Sequence, residues 1–462
     1  VIKTVSNQTR NSQASNLEDK NNQKHFTLIE RTFNSNVKSD YTEKIEELGK
    51  NFNYQVNRDF YWSDPELSVL YGTPIYQAAS PSQKIALNHL FWVAMYNGVA
   101  ANEAATILYN QVTRGVFVKV GGYETLCREL ETETNQEHYH VKTFQKVGYK
   151  TKQALLGKAL LKNSFQSKWY KSQKQRRLRG NIVNLLPKKL LLSLDWDKTW
   201  RWTVEKMLPG QKNYRSQYLE ELVQRNEPIP GHAEGIIGRL APRQMQPFFA
   251  YNWGSSPFFS CQYYTMRYIA NANLKNKEYS YFKYFKDLHK GSEFIPTPTA
   301  ISHFHLLDES FHTTISQTIA RDLYKDFSPP TAYEKFVANM AIYMMQHNVL
   351  SGISCIFPSE CVTDEPLFML LCYKILRSPI FGMSSDEALN SMQQSLCQEN
   401  EGFHVTLKYH QRLLSDLRRF FNDIDYLWPV NREMRLMDSA ANIDRAIQAN
   451  IKSFKQFAKS VA

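Results

Sequence analysis

Between positions 305 and 312 the chain reads His-Leu-Leu-Asp-Glu-Ser-Phe-His, which places His305, Glu309 and His312 at i, i+4 and i+7. On an α-helix those three side chains project from one face, one turn above another, so the segment is useful only as a helix whose polar stripe points at something. A second pattern, Glu137-His138-Tyr139-His140, repeats the motif at i and i+3. Imidazole and carboxylate at helical spacing within apolar surroundings demand a compensating partner, because a buried unpaired acid is strongly unfavourable.

The surrounding sequence supplies two more helices of the same kind. Ser80-Pro81-Ser82-Gln83 is a helix start, with serine to cap, proline at the first helical position and glutamine to close a capping box. The helix that follows should run for roughly thirty residues and carries Trp92, Tyr96, Val99 and Glu103 on one inward stripe. A helix from about 123 to 147 follows Gly121-Gly122 and holds Glu137 and His140, with Glu129, Glu131 and Glu133 making a broad acidic face. A third, from Cys261 to about Lys290, carries Glu278, and a fourth, from Thr299 to about Leu323, carries the 305–312 motif.

One Glu from each of two helices and a Glu-x-x-His from each of the other two is how a helix bundle builds a two-metal site. The carboxylates offset the charge of two divalent cations, and mixed oxygen and nitrogen donors suit iron or manganese. The six cysteines, at 127, 261, 355, 361, 372 and 397, form no C-x-x-C pair, which argues against structural zinc or an iron–sulfur cluster and for buried thiols in a reducing compartment. Tyr96, Tyr109 and Tyr139 are candidates for hydrogen bonds to the ligands; His303 and Asp308 flank them, with Asp308 placed to orient an imidazole.

Extended alternation is scarce, so the chain should be all-α. Residues 1–25 read as a polar N-terminal arm, 26–330 as the metal-binding bundle with a basic helical insertion at about 148–255, and 331–462 as supporting helices. The net charge of +12 resides in one place. From Lys142 to Lys189 there are 14 Lys and Arg residues and no acid, leaving about −2 for everything else. Its centre, Lys168 to Arg179, mixes aromatics with cations. An acidic protein partner or a solvated helical surface explains it better than nucleic acid, since no recognised nucleic-acid module accompanies it. No window of 18 apolar residues occurs, so a cytoplasmic protein without a membrane span is expected.

On these residues the sequence resembles the p-aminobenzoate N-oxygenase family of ferritin-like non-haem diiron enzymes. The resemblance covers roughly 80–150 and 260–325. It implies a ferritin-like four-helix diiron bundle, here with an extra helical layer and an insertion. Carried across by motif, the implied ligands are Glu103, Glu137, His140, Glu278, His305, Glu309 and His312, with Glu103, Glu137 and Glu309 closest to catalysis. The basic insertion and the long C-terminal region depart from that family. They make the chain more similar to the cyanobacterial cylindrocyclophane-type halogenases, which chlorinate an unactivated carbon of a fatty acyl chain on an acyl carrier protein.

That resemblance implies two iron ions as cofactors and O2 and chloride as co-substrates. The implied partners are an acidic acyl carrier protein bearing the fatty acyl chain and an external electron donor. A homodimer is compatible with it; nucleic acid and membrane are not expected. With 27 Phe and 26 Tyr the chain could also line an alkyl channel. A diiron N-oxygenase, hydroxylase or desaturase could use the same ligands, and a basic helical binding protein without metal is the non-enzymatic alternative.

Overall fold

The computed structural model describes residues 24–163, 195–231 and 243–461, and no strand occurs among them. Most of the expected N-terminal arm, and the Lys168–Arg179 centre of the basic stretch, lie outside the described residues.

Two long helical hairpins make the bundle. The first joins α3 (Pro81–Val120) to α4 (Glu124–Asn163), and the second joins α5 (Pro257–Lys290) to α6 (Thr297–Arg321), with α1 (Lys24–Lys38) and α2 (Thr42–Asn51) laid across α4 and α6. Ser80 caps α3 through the expected capping box with Gln83. The helix stops at Gly121 and Gly122, whose φ values of 75° and 80° turn the chain back at little steric cost. Ser256 caps α5 by accepting the Phe259 N–H, and Pro296 and Pro298 frame the start of α6.

α3 is 40 residues long and buried nearly all round, as expected of a helix at the centre of a layered molecule. That is also why its far end is hard to find from periodicity. α4 is extended likewise, with a break at Gly157 (φ 73°); Leu155 and Leu156, before the break, are buried.

The C-terminal region adds a helical layer. α7 (Ala332–Met345) and α10 (Glu401–Asn422) pack on α5, while α8 (Pro366–Arg377), α9 (Ser385–Leu396) and α11 (Ile443–Val461) pack on one another. Helices 196–207, 217–224 and 246–253 fall within the expected insertion, and the last two brace α3. Five cysteines are buried and Cys397 is partly so, and all six are free thiols.

Apolar packing divides into two plugs along the bundle axis. One gathers Trp62, Phe91, Trp92, Tyr96, Val99, Phe144, Tyr281 and Ile301; the other gathers Leu108, Val112, Leu130, Phe259, Ile269, Ile315 and Ile319. Truncating a large ring in such a plug costs on the order of 3–5 kcal/mol. The gap between the plugs falls at 100–105 on α3, 130–144 on α4, 269–281 on α5 and 301–315 on α6, the segments that carry the acids and imidazoles. The fold therefore seals a polar layer between two dry ones.

Candidate metal centre

Helical spacing becomes geometry at this layer. Glu103, His140, His305 and Glu309, from α3, α4 and α6, each offer a donor atom within 4.8 Å of the other three, and Glu137, Glu309 and His312 form a second such group. Glu309 belongs to both. His305 Nε2 lies 2.8 Å from Glu103 and 3.7 Å from Glu309; His312 Nδ1 lies 2.8 Å from Glu309 and 3.5 Å from Glu137.

Every imidazole directs one nitrogen into these groups and the other outward to an acceptor. His140 Nε2 faces Asp308 at 3.4 Å, His312 Nε2 faces Gln136 Oε1 at 2.9 Å, and His305 Nδ1 faces Glu278 Oε1 at 2.7 Å. Such partners fix the tautomer and the ring plane, so that the inward nitrogen is free to bind. Glu278, expected among the ligands, stands outside both groups and behind the His305 ring, where Tyr96 also donates to it at 2.6 Å. Lys275 and Lys277, just before it in the chain, do not expose it: Glu278 is fully buried, and Lys277 turns away to Glu360.

Several contributors are invisible in local sequence. Arg267, three turns before Glu278 on α5, is buried against Glu133 and against Glu137 at 3.2 Å. Asn36 on α1 donates to Glu129 at 3.0 Å and accepts from Gln136, and the backbone N–H of Tyr41 donates to Asp308 at 3.3 Å. The two N-terminal helices thus hold the acceptors behind His312 and His140. Of the acidic face expected on α4, Glu129 and Glu133 are buried in line with Glu137, while Glu131 pairs with Arg114 at the surface. Their i, i+4, i+8 spacing was the signal available in the sequence.

Of the tyrosine candidates, Tyr96 reaches this network through Glu278; Tyr109 packs on Trp253 and Tyr263, and Tyr139 is exposed, a correction that follows from its place one residue before an inward His140. His303 stacks on Phe285 at 3.8 Å, away from the ligands.

The electrostatics ask for cations. Seven buried carboxylates (Glu103, Glu129, Glu133, Glu137, Glu278, Asp308, Glu309) meet one buried guanidinium, Arg267. Burial, aided by Glu137, pushes Glu103 up to about 8, and burial with Glu133 lifts Glu129 to about 7. Burial alone would lower the histidines, yet Asp308 and Glu137 raise His140 to about 9, and Glu309 with Glu133 raises His312 to about 10. Burial would raise Glu309 too, but His312 overrides it and holds that carboxyl well below the ordinary range.

Without metal, then, protons on carboxyls and imidazoles supply the missing positive charge, and a divalent cation would displace them. Glu103 Oε2, Glu137 Oε2 and His140 Nδ1 are buried with no hydrogen-bond partner, the last two 3.5 Å apart. Orphaned donor atoms of this kind fit a pair of metal ions.

Along the outside of α5 and α6, with α10 as third wall, runs a groove of about 710 Å³ lined by Tyr268, Tyr279, Phe282, Phe420, Leu306 and Leu307, with Lys275, Arg412 and Arg419 among its cations. No helix among the described residues is long and apolar enough to cross a membrane.

A family model described as acyl halogenase, CylC-like, matches residues 24–458. No curated protein and no solved structure matches the chain.

Proposed function

Because the chain belongs to the CylC-like acyl halogenase family, a family of metal-dependent oxidative enzymes, we propose that it replaces an unactivated C–H of a carrier-bound fatty acyl chain by C–Cl, using two irons, O2 and chloride. The observation that carries the reading is that one carboxylate, Glu309, completes two adjoining groups of buried oxygen and nitrogen donors. In this assignment Glu103, His140, His305 and Glu309 would hold one iron, and Glu137, Glu309 and His312 would hold the other. A bound iron pair would supply O2 activation and a Lewis-acidic partner for chloride.

The residues of the chain do the rest. Asp308, Gln136 and Glu278 hold the three imidazoles in register, so no reorganisation is needed when metal enters. Arg267 pairs with Glu133 and Glu137 and holds both carboxylates in place. The two apolar plugs keep water from a reactive site, which matters because hydroxyl transfer competes with chlorination. The aromatic, cation-edged groove supports an acyl chain tethered to a phosphorylated arm, and the acid-free run from Lys142 to Lys189 supports docking of an acidic carrier.

Iron-loaded protein given a medium-chain acyl carrier protein, O2 and a one-electron reductant is expected to add the mass of one chlorine less one hydrogen to the carrier, only when chloride is present. Intact-protein mass spectrometry reads the result. Oxygen insertion regardless of chloride would identify a hydroxylase or N-oxygenase of the same architecture instead, and an apo protein inert toward iron would remove the enzymatic reading.

A further inference from the structure

Behind the metal layer stands an unbroken file of oxidisable rings. Tyr96 lies 5.9 Å from His305 between ring centroids, Trp92 lies 4.5 Å from Tyr96, Trp62 lies 5.8 Å from Trp92, and Tyr54 lies 6.2 Å from Trp62. Tyr96, Trp92 and Trp62 are fully buried; Tyr54 is only partly buried and reaches solvent.

The hydrogen bonds sort these rings by chemistry. Oxidised tyrosine must surrender its phenolic proton, whereas oxidised tryptophan can keep its N–H as a radical cation. Both tyrosines have an acceptor in place: Tyr96 O–H donates to Glu278 at 2.6 Å, and Tyr54 O–H lies 3.2 Å from His89 Nδ1. Burial keeps His89 neutral, lowering it to about 4, and its Nε2 faces the Phe60 carbonyl at 2.8 Å, so Nδ1 is free to accept. The two tryptophans instead hold their N–H groups on fixed acceptors, Ser302 Oγ for Trp92 and the Asn57 carbonyl for Trp62. Groups basic enough to take a proton thus stand at the two tyrosine ends, while the middle offers only a hydroxyl and a carbonyl that hold the indole N–H in place. Phe91 and Phe144, which share the same plug, are redox-inert; Phe144 packs on Tyr96 at 4.5 Å and on His305 at 4.9 Å without offering a relay.

We propose that Tyr96, Trp92, Trp62 and Tyr54 form a one-electron conduit that drains oxidising equivalents from the buried site to the surface when no substrate consumes them. The inference rests on the oxidative reading above. In one passage Tyr96 yields an electron to the O2-derived oxidant and its proton to Glu278. Trp92 then returns an electron to Tyr96, which recovers its proton, and Trp62 refills Trp92. Tyr54 refills Trp62 while passing its proton to His89. A surface reductant, a thiol or ascorbate, gives Tyr54 one electron as the proton returns, so the net transfer is one electron from donor to oxidant. Only a strong oxidant can oxidise these rings, so the conduit is silent in the resting protein and leaves ordinary reduction of the centre to another route.

Electron tunnelling weakens exponentially with distance, so removing one ring interrupts the file. The first test uses metal-free protein carrying a ruthenium photosensitiser on Val56→Cys, an exposed site beside Tyr54, in a Cys397→Ser background, since the other native thiols are buried. After flash oxidation a fast tyrosyl radical at Tyr54 and a slower one at Tyr96 are expected; Tyr96→Phe removes the slower component, and Trp92→Phe and Trp62→Phe delay it by about an order of magnitude. Circular dichroism identifies any variant that fails to fold, and either tryptophan variant suffices.

The second test gives iron-loaded protein O2 without substrate. Trp92→Phe is expected to leave the radical stranded on Tyr96, longer-lived by electron paramagnetic resonance than in the parent, and to accumulate oxidised residues around the ligands by peptide mapping. Radical kinetics unchanged by both tryptophan variants, or equal damage with and without Trp92, overturns the conduit. The first test contains no iron, so a protein that failed to bind iron would sink the metal reading while leaving the radical kinetics to decide the conduit.

Discussion

Glu309→Ala is expected to leave the protein without either iron and without turnover, whereas Glu137→Ala and His312→Ala each retain one iron. The asymmetry follows from connectivity. Glu309 belongs to both donor groups, while Glu137 and His312 belong to one. Removing the shared carboxylate also leaves His305 and His312 with one fewer anion each, since both lie within ion-pair distance of it. Elemental analysis of purified variants checks the prediction, with Mössbauer spectra separating a mononuclear from a dinuclear centre. If all three variants lost metal equally, Glu309 would be one ligand among several and not one shared by both groups.

The second large effect concerns Arg267→Met. The guanidinium is buried between Glu133 and Glu137, with 3% of its side chain exposed. Breaking a buried ion pair by removing one partner costs about 3–5 kcal/mol, because the remaining charge is left in a poorly polarisable surrounding. Metal-free Arg267→Met should therefore unfold at markedly lower denaturant concentration than the metal-free parent. The loss should shrink when iron is bound, because the metal supplies the positive charge that the arginine did, and a ligand that binds only the folded state stabilises it. Urea titrations of the four species, parent and variant with and without iron, give the comparison as a double-mutant-style cycle. Equal destabilisation with and without iron would mean that Arg267 serves packing alone.

How far the site was readable from sequence depends on how far apart the partners are along the chain. Within one helix, spacing alone sets which side chains share a face, so His305, Glu309 and His312, and separately Glu137 and His140, were readable as inward-facing sets. The Ser80–Gln83 cap was readable for the same local reason. The role of Glu278 was not, because helix order brings it to the right region but only the packing of α5 against α3 decides that it meets the back of His305 and the hydroxyl of Tyr96.

Arg267, Asn36 and the Tyr41 N–H act across 130, 93 and 267 residues of chain, and no periodicity reports such pairings. Lys275 and Lys277 precede Glu278 in the chain without pairing with it, since sequence neighbours of an acid need not be its partners once the helix is buried on several sides. The ends of α3 and α4 were underestimated because a helix that is apolar all round, or interrupted by one glycine, loses the amphipathic signal by which its length is judged.

The most direct test of the whole account is an anomalous-difference map at the iron edge from crystals grown with ferrous iron. The expected map contains two peaks flanking the Glu309 carboxylate, one against His140 and His305 and the other against His312, with Glu278 bonded to His305 and not to metal. A single peak that does not touch Glu309, or no peak within this layer, would contradict it.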